Sequence, residues 1–194
     1  LLFEGRFGQA LKKATEAHGA GTAPGLSALI AARAAQRMRE PEKQQYWLEH
    51  AKTDDPRTEA ATLMLDAEMA NEARRFDEAL AALEKLQGKQ GRHIAALRLE
   101  LRARQGVGDW DGVLKLARQL VKRDALPAEV VREIRTQAHL GNIAKRVADQ
   151  GKLTAYLRTV PEDERGRRVV LAAARALVGL GAEAEAQKLI ETVL

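Results

Sequence analysis

Arginines set about one helical turn apart give this chain its clearest chemistry: Arg33 with Arg37, Arg98 with Arg102, and Arg132 with Arg135. A planar guanidinium grips a carboxylate through two parallel hydrogen bonds, so a helix face carrying such pairs suits extended acidic segments or other multivalent anions. Projected from the apolar positions beside them, the same faces carry Leu29 and Gln36, then Met64, Glu68 and Asn71, then Gln105, His139 and Asn142. The candidate partner-binding set is therefore Arg33, Arg37, Asn71, Arg98, Arg102, Arg132, Arg135 and His139. The bland alternative is a charged helix face that is simply solvated.

The other reactive side chains offer less. His18, His50, His93 and His139 are scattered, and none stands with a second histidine or an acid at a metal-binding helix spacing. His50 beside Trp47, Leu48 and Ala51 reads as a packing or surface residue, Tyr46 and Trp47 read as packing, and His139 is the one histidine kept as a ligand contact. Cysteine is absent, which excludes disulfides, thiolate metal sites and cysteine nucleophiles. There is no glycine-rich phosphate loop after a strand and no nucleophile with a base placed by motif. No catalytic, cofactor or metal residue is expected, and no enzyme.

Helices must position these residues, and the sequence writes them at a fixed period. Phe7, Pro41, Phe76 and Trp110 follow successive turns at separations of 34, 35 and 34 residues. Ala10, Gln44, Ala79 and Val113 recur with them, as do Ala14, Leu48, Leu83 and Ala117, and Ala17, Ala51, Leu86 and Leu120. Only Gln44 breaks the run of small or apolar residues. A helix–turn–helix unit of about 34 residues is the mark of the tetratricopeptide repeat. The expected fold is all-α, a right-handed superhelical array of such repeats (an α-solenoid) whose first helices line a concave groove.

Boundaries follow from the period: a half repeat at 1–18, then units at 25–56, 58–92, 93–126, 127–160 and 166–194, together one repeat domain. The first unit reads as a second helix whose partner precedes residue 1, and no polar capping helix closes the array, so truncation at both ends is expected. Val113 and Ala186 lie 73 residues apart where two repeats would give about 68, which leaves about five residues to absorb. The expected places are a long helix from Pro127 to about Asp149 and the turn from Val160 to Gly166, with a short helix from Lys152 to Thr159 between them. Trp110 is the expected largest anchor.

Of 194 residues, 32 are basic and 27 acidic, a net charge of +5 that biases the surface towards acidic partners. Nucleic acid is not the expected partner, because acids are interspersed with the bases and aromatics are only 4 %. No run of eighteen apolar residues and no signal peptide is present, so the piece reads as soluble.

Three stretches carry a resemblance beyond the repeat: Leu2-Phe3-Glu4-Gly5-Arg6-Phe7-Gly8-Gln9-Ala10, Ala31-Ala32-Arg33-Ala34-Ala35-Gln36 and Gly108-Asp109-Trp110. They resemble the HemY-type membrane proteins of proteobacterial haem-biosynthesis operons. The resemblance implies an inner-membrane protein anchored upstream of Leu1, with this repeat domain on the cytoplasmic face. It implies a non-catalytic scaffold whose protein partners are haem-biosynthesis enzymes. The alternative readings are direct binding or relay of haem or a porphyrin, with groove arginines on the propionates and His139 near the metal, and a repeat adaptor unrelated to haem.

Overall fold

A computed structural model describes residues 1–51, 56–90 and 93–191, and these are all-helical, with no strand among them. The chain divides into two compact units, Leu1–Ala103 and Arg104–Leu194, where the sequence reads as one array. Eleven α-helices lie among the described residues: α1 (Phe7–Gly19), α2 (Pro24–Arg37), α3 (Pro41–His50), α4 (Pro56–Glu72), α5 (Phe76–Gln90), α6 (Ile94–Val107), α7 (Trp110–Lys122), α8 (Ala128–Ala144), α9 (Gln150–Thr159), α10 (Arg167–Gly179) and α11 (Glu183–Glu191). A single 3-10 turn, Glu162–Glu164, follows α9. None of the helices is long and apolar enough to cross a membrane.

The four periodic residues Phe7, Pro41, Phe76 and Trp110 are each the first residue of a helix, α1, α3, α5 and α7. The turn before each has the same backbone. Two residues upstream the chain is left-handed, at Gly5 (φ 74°), Arg39 (φ 60°), Arg74 (φ 58°) and Gly108 (φ 71°), and again at Gly181 (φ 76°) before α11. The next N–H, on Arg6, Glu40, Arg75, Asp109 or Ala182, bonds back to the carbonyl five residues earlier at 2.7–3.0 Å. That is the closing bond of a Schellman cap, which satisfies a carbonyl that the ending helix leaves orphaned. The carbonyls of those same five residues accept the first bond of the following helix, from Ala10, Gln44, Ala79, Val113 and Ala186. At Glu40, Arg75 and Ala182 one residue therefore ends one helix and starts the next, which makes the turn tight.

In the first unit α2 packs against α1, α3 and α4, and α4 against α5. The small residues explain the close approach: Ala31, Ala32, Ala34 and Ala35 of α2 are fully buried. Ala31 and Ala32 form one cluster with Ala14, Trp47, Leu48, Ala51 and Leu65. A second joins Ala60 and Ala67 to Leu83, Leu86 and Ala96. Burying a leucine such as Leu83, 1 % exposed, stabilises the fold by about 1.5–3 kcal/mol.

In the second unit α8 packs against α7 and α10, and α10 against α9 and α11. Val169, Ala173, Ala174 and Leu177 form the buried face of α10, meeting Leu153 of α9, Ile143 of α8 and Ala186 of α11. Trp110, the expected largest anchor, is only half-buried, with its indole against Gly141 of α8. The expected long helix is shorter: α8 stops at Ala144, and α9 begins at Gln150. Asp149 starts that helix by accepting the backbone N–H of Lys152 at 2.9 Å, a cap that competes with continuing α8. Residues 145–149 and the turn from Val160 to Gly166 therefore take up the extra length. The expected unit ends at 92 and 194 lie outside the described residues.

Candidate functional site

In the first unit five helices surround a cleft of about 800 Å³, lined by Phe7, Arg33, Gln36, Arg37, Arg39, Pro41, Gln44, Glu68, Glu72, Leu99 and Arg102. The buried alanines of α2 set the direction of its other face. With Ala31, Ala32, Ala34 and Ala35 turned inward, Arg33 and Arg37 stay exposed and Gln36 half-buried. Arg33 pairs with Glu68 on α4 and donates to Gln36 Oε1 at 2.8 Å, while Gln36 Nε2 reaches Glu68 and Glu72, each at 3.4 Å. Both acids of the cleft are thus engaged from α2. The Arg37 guanidinium lies 5.4 Å from the centroid of the Phe7 ring, a cation–π contact that leaves its charge uncompensated. Among the described residues none of Arg37, Arg39 and Arg102 meets a carboxylate. The cleft thus carries four arginines against two glutamates, an excess of positive charge.

Of the eight sequence candidates, the cleft gathers Arg33, Arg37 and Arg102. Arg98 is exposed one turn before Arg102 on α6 and does not line it. Asn71, expected on the groove surface, is 1 % exposed; its Nδ2 donates to Leu99 O at 3.1 Å, so it ties α4 to α6. Sequence reading missed Arg39, because its place at the mouth follows from the left-handed turn. Phe7, named in the sequence only for its place in the period, is half-buried, and its ring carries Arg37.

The second unit gathers Arg132, Arg135 and His139 on α8, with a different outcome. Arg132 and Arg135 line a cleft of about 620 Å³ together with Asp124, Asp163 and Glu164. Its acids are built in. Glu164, on the 3-10 turn, takes Arg135 at 3.0 Å through one oxygen and His139 Nε2 at 2.8 Å through the other. His139 Nδ1 sits 2.7 Å from the Tyr156 hydroxyl. A carboxylate only accepts, so the neutral ring carries its proton on Nε2 and accepts from Tyr156 at Nδ1. His139 is 2 % exposed with both ring nitrogens engaged, which corrects its expected role as a ligand contact in the groove. Burial, aided by the Asp111 and Glu164 charges against the opposing pull of Asn142 and Arg146, pushes the Tyr156 phenol up to about 12. Arg146 stacks 4.5 Å over that ring and donates to Asn142, which donates in turn to Asp111 at 3.0 Å. These polar contacts tie α8 to α9 and to the acidic turn.

Among the described residues no group of three or more histidines, aspartates or glutamates is placed to hold a metal ion. No protein-family model, no curated protein and no solved structure matches the chain.

Proposed function

We propose that this protein is a non-catalytic interaction scaffold, whose helix pairs are tetratricopeptide-type repeats in a right-handed array. Its arginine cleft takes an extended acidic segment of a partner protein. The observation that carries this reading is the trio Arg37, Arg39 and Arg102, uncompensated around about 800 Å³ of open cleft. The repeat reading draws support from the matching turns at Gly5, Arg39, Arg74 and Gly108, each with a left-handed residue followed by the same backbone bond to the carbonyl five residues earlier. On the HemY-type resemblance the partners are haem-biosynthesis enzymes at the inner membrane, reached through an anchor outside this chain. Direct porphyrin binding has less behind it, because His139 is sealed between Tyr156 and Glu164.

The test is titration with a fluorescent ten-residue peptide of alternating glutamate and glycine, followed by anisotropy. Binding should weaken about tenfold in Arg102→Ala and in Arg37→Ala, the loss of one charge-assisted hydrogen bond, and should fall steeply with added salt. Arg132→Ala should bind as the wild type does. Equal affinity for wild type, Arg37→Ala and Arg102→Ala would remove the cleft from consideration.

A further inference from the structure

A second feature of the first unit has no part in the arginine cleft. His18 near the end of α1 and His50 at the end of α3 stand with their ring centroids 5.9 Å apart, at 79° to one another. Trp47 borders both, 5.3 Å from His18 and 6.0 Å from His50. Thirty-two residues separate the two histidines in the chain, so only the packing of α1, α2 and α3 brings them together.

Their hydrogen bonds define their chemistry. His18 Nδ1 lies 2.9 Å from Pro24 O, and His50 Nδ1 lies 2.7 Å from Tyr46 O. A carbonyl oxygen has no proton to give, so each Nδ1 must carry one. The neutral ring then has its lone pair on Nε2, and neither Nε2 has a hydrogen-bond partner among the described residues. An imidazole whose N–H is held by a backbone carbonyl while the opposite nitrogen stays open is the usual arrangement of a metal-ligating histidine. Here two such rings are neighbours. His50 is exposed and His18 half-buried, so an ion can reach them from solvent.

We propose that His18 and His50 form a two-imidazole site for a borderline divalent transition metal. Metal–nitrogen bonds of about 2.0–2.1 Å would set the two ring centroids roughly 5 Å apart at a tetrahedral angle. The observed 5.9 Å is somewhat longer, and closing it would move the exposed His50 ring, which also stacks on Tyr46 with centroids 4.1 Å apart. With no third protein ligand among the described residues, water completes the coordination. The site is therefore open and exchangeable. Imidazole donors favour copper, nickel and zinc, and copper(II) binds tightest in that series.

The experiment uses the full chain and Cu²⁺ alone. One equivalent should give a copper spin-resonance spectrum with coupling to two imidazole nitrogens, and should quench part of the tryptophan fluorescence through Trp47. Zn²⁺ should compete. His50→Ala, at an exposed position outside the core, should weaken binding by roughly tenfold or more, and His18→Gln/His50→Ala should abolish the two-nitrogen signal. His93→Gln should change nothing. Two-nitrogen coupling that persists in the double variant, or absence of one-to-one binding in the wild type, would overturn the assignment.

Discussion

Trp110 rests so closely on Gly141 that a Cβ added to the glycine would fall 2.2 Å from the indole Nε1. The glycine admits the ring, within the last turn of α8, where glycine otherwise weakens the helix. Gly141→Ala should destabilise the protein by about 1–3 kcal/mol, the cost of overpacking a filled site. Gly8→Ala is the contrast, because a Cβ there meets nothing within 4 Å, and alanine should stabilise α1 by up to about 1 kcal/mol. Urea unfolding of the two variants measures both.

Glu164 is the acid that two different side chains of α8 share. Its side chain is 10 % exposed, against 24 % for Arg135 and 3 % for His139. Removing it leaves half-buried Arg135 without this counter-charge, and the Arg135 Nε already lacks a partner. Glu164→Ala should therefore cost about 1–3 kcal/mol, less than the penalty for breaking a fully buried pair because Arg135 keeps some contact with water. Glu164→Gln keeps an acceptor and should cost less; chemical denaturation with two probes, one in each unit, would rank them.

Arg39 and Arg74 occupy left-handed positions that Gly5, Gly108 and Gly181 fill elsewhere. A side chain raises the energy of that conformation, and glycine removes the penalty. Arg74→Gly should raise stability by roughly 0.5–1 kcal/mol, reduced by the greater entropy glycine gives the unfolded chain. Gly108→Ala should lower it by a similar amount. A thermal melt in which Arg74→Gly is the less stable protein would mean that the arginine side chain contributes contacts of its own.

Tyr156 predicts an alkaline limit. Its phenol titrates near 12 in the fold, against the ordinary 10 expected for the unfolded chain, because burial disfavours the phenolate. The folded state thus holds the proton more tightly, and this contribution to stability is whole below pH 10 and lost as pH rises through 12. The chain has two tyrosines, so a Tyr46→Phe variant isolates the signal. Its phenolate absorbance should appear only near pH 12, with stability declining from pH 10 upward.

Helix order, turn positions and the small-residue faces were legible in the sequence, because each is a local matter. The period of 34 or 35 residues marks the starts of α1, α3, α5 and α7, and the alanines of α2 announce its buried side. The end of α8 was less legible. Apolar residues continue past Ala144, yet the Asp149 cap starts α9 at Gln150. The arginine set was half legible: spacing along a helix says that Arg33 and Arg37 share a face, but not that Arg33 spends its charge on Glu68 while Arg37 and Arg102 keep theirs.

By itself, the sequence determined that this chain is helical, cysteine-free, basic and built from pairs of helices joined by recurrent turns. Those properties follow from composition and periodicity, which act over a few residues at a time. Only the tertiary structure decided that Arg39 joins the cleft, that Asn71 and His139 are sealed inside, and that His18 meets His50. Whether a polar side chain is open or engaged depends on which helix packs beside it. That choice is made by alanines and leucines elsewhere in the chain, through the distance at which they let the helices approach.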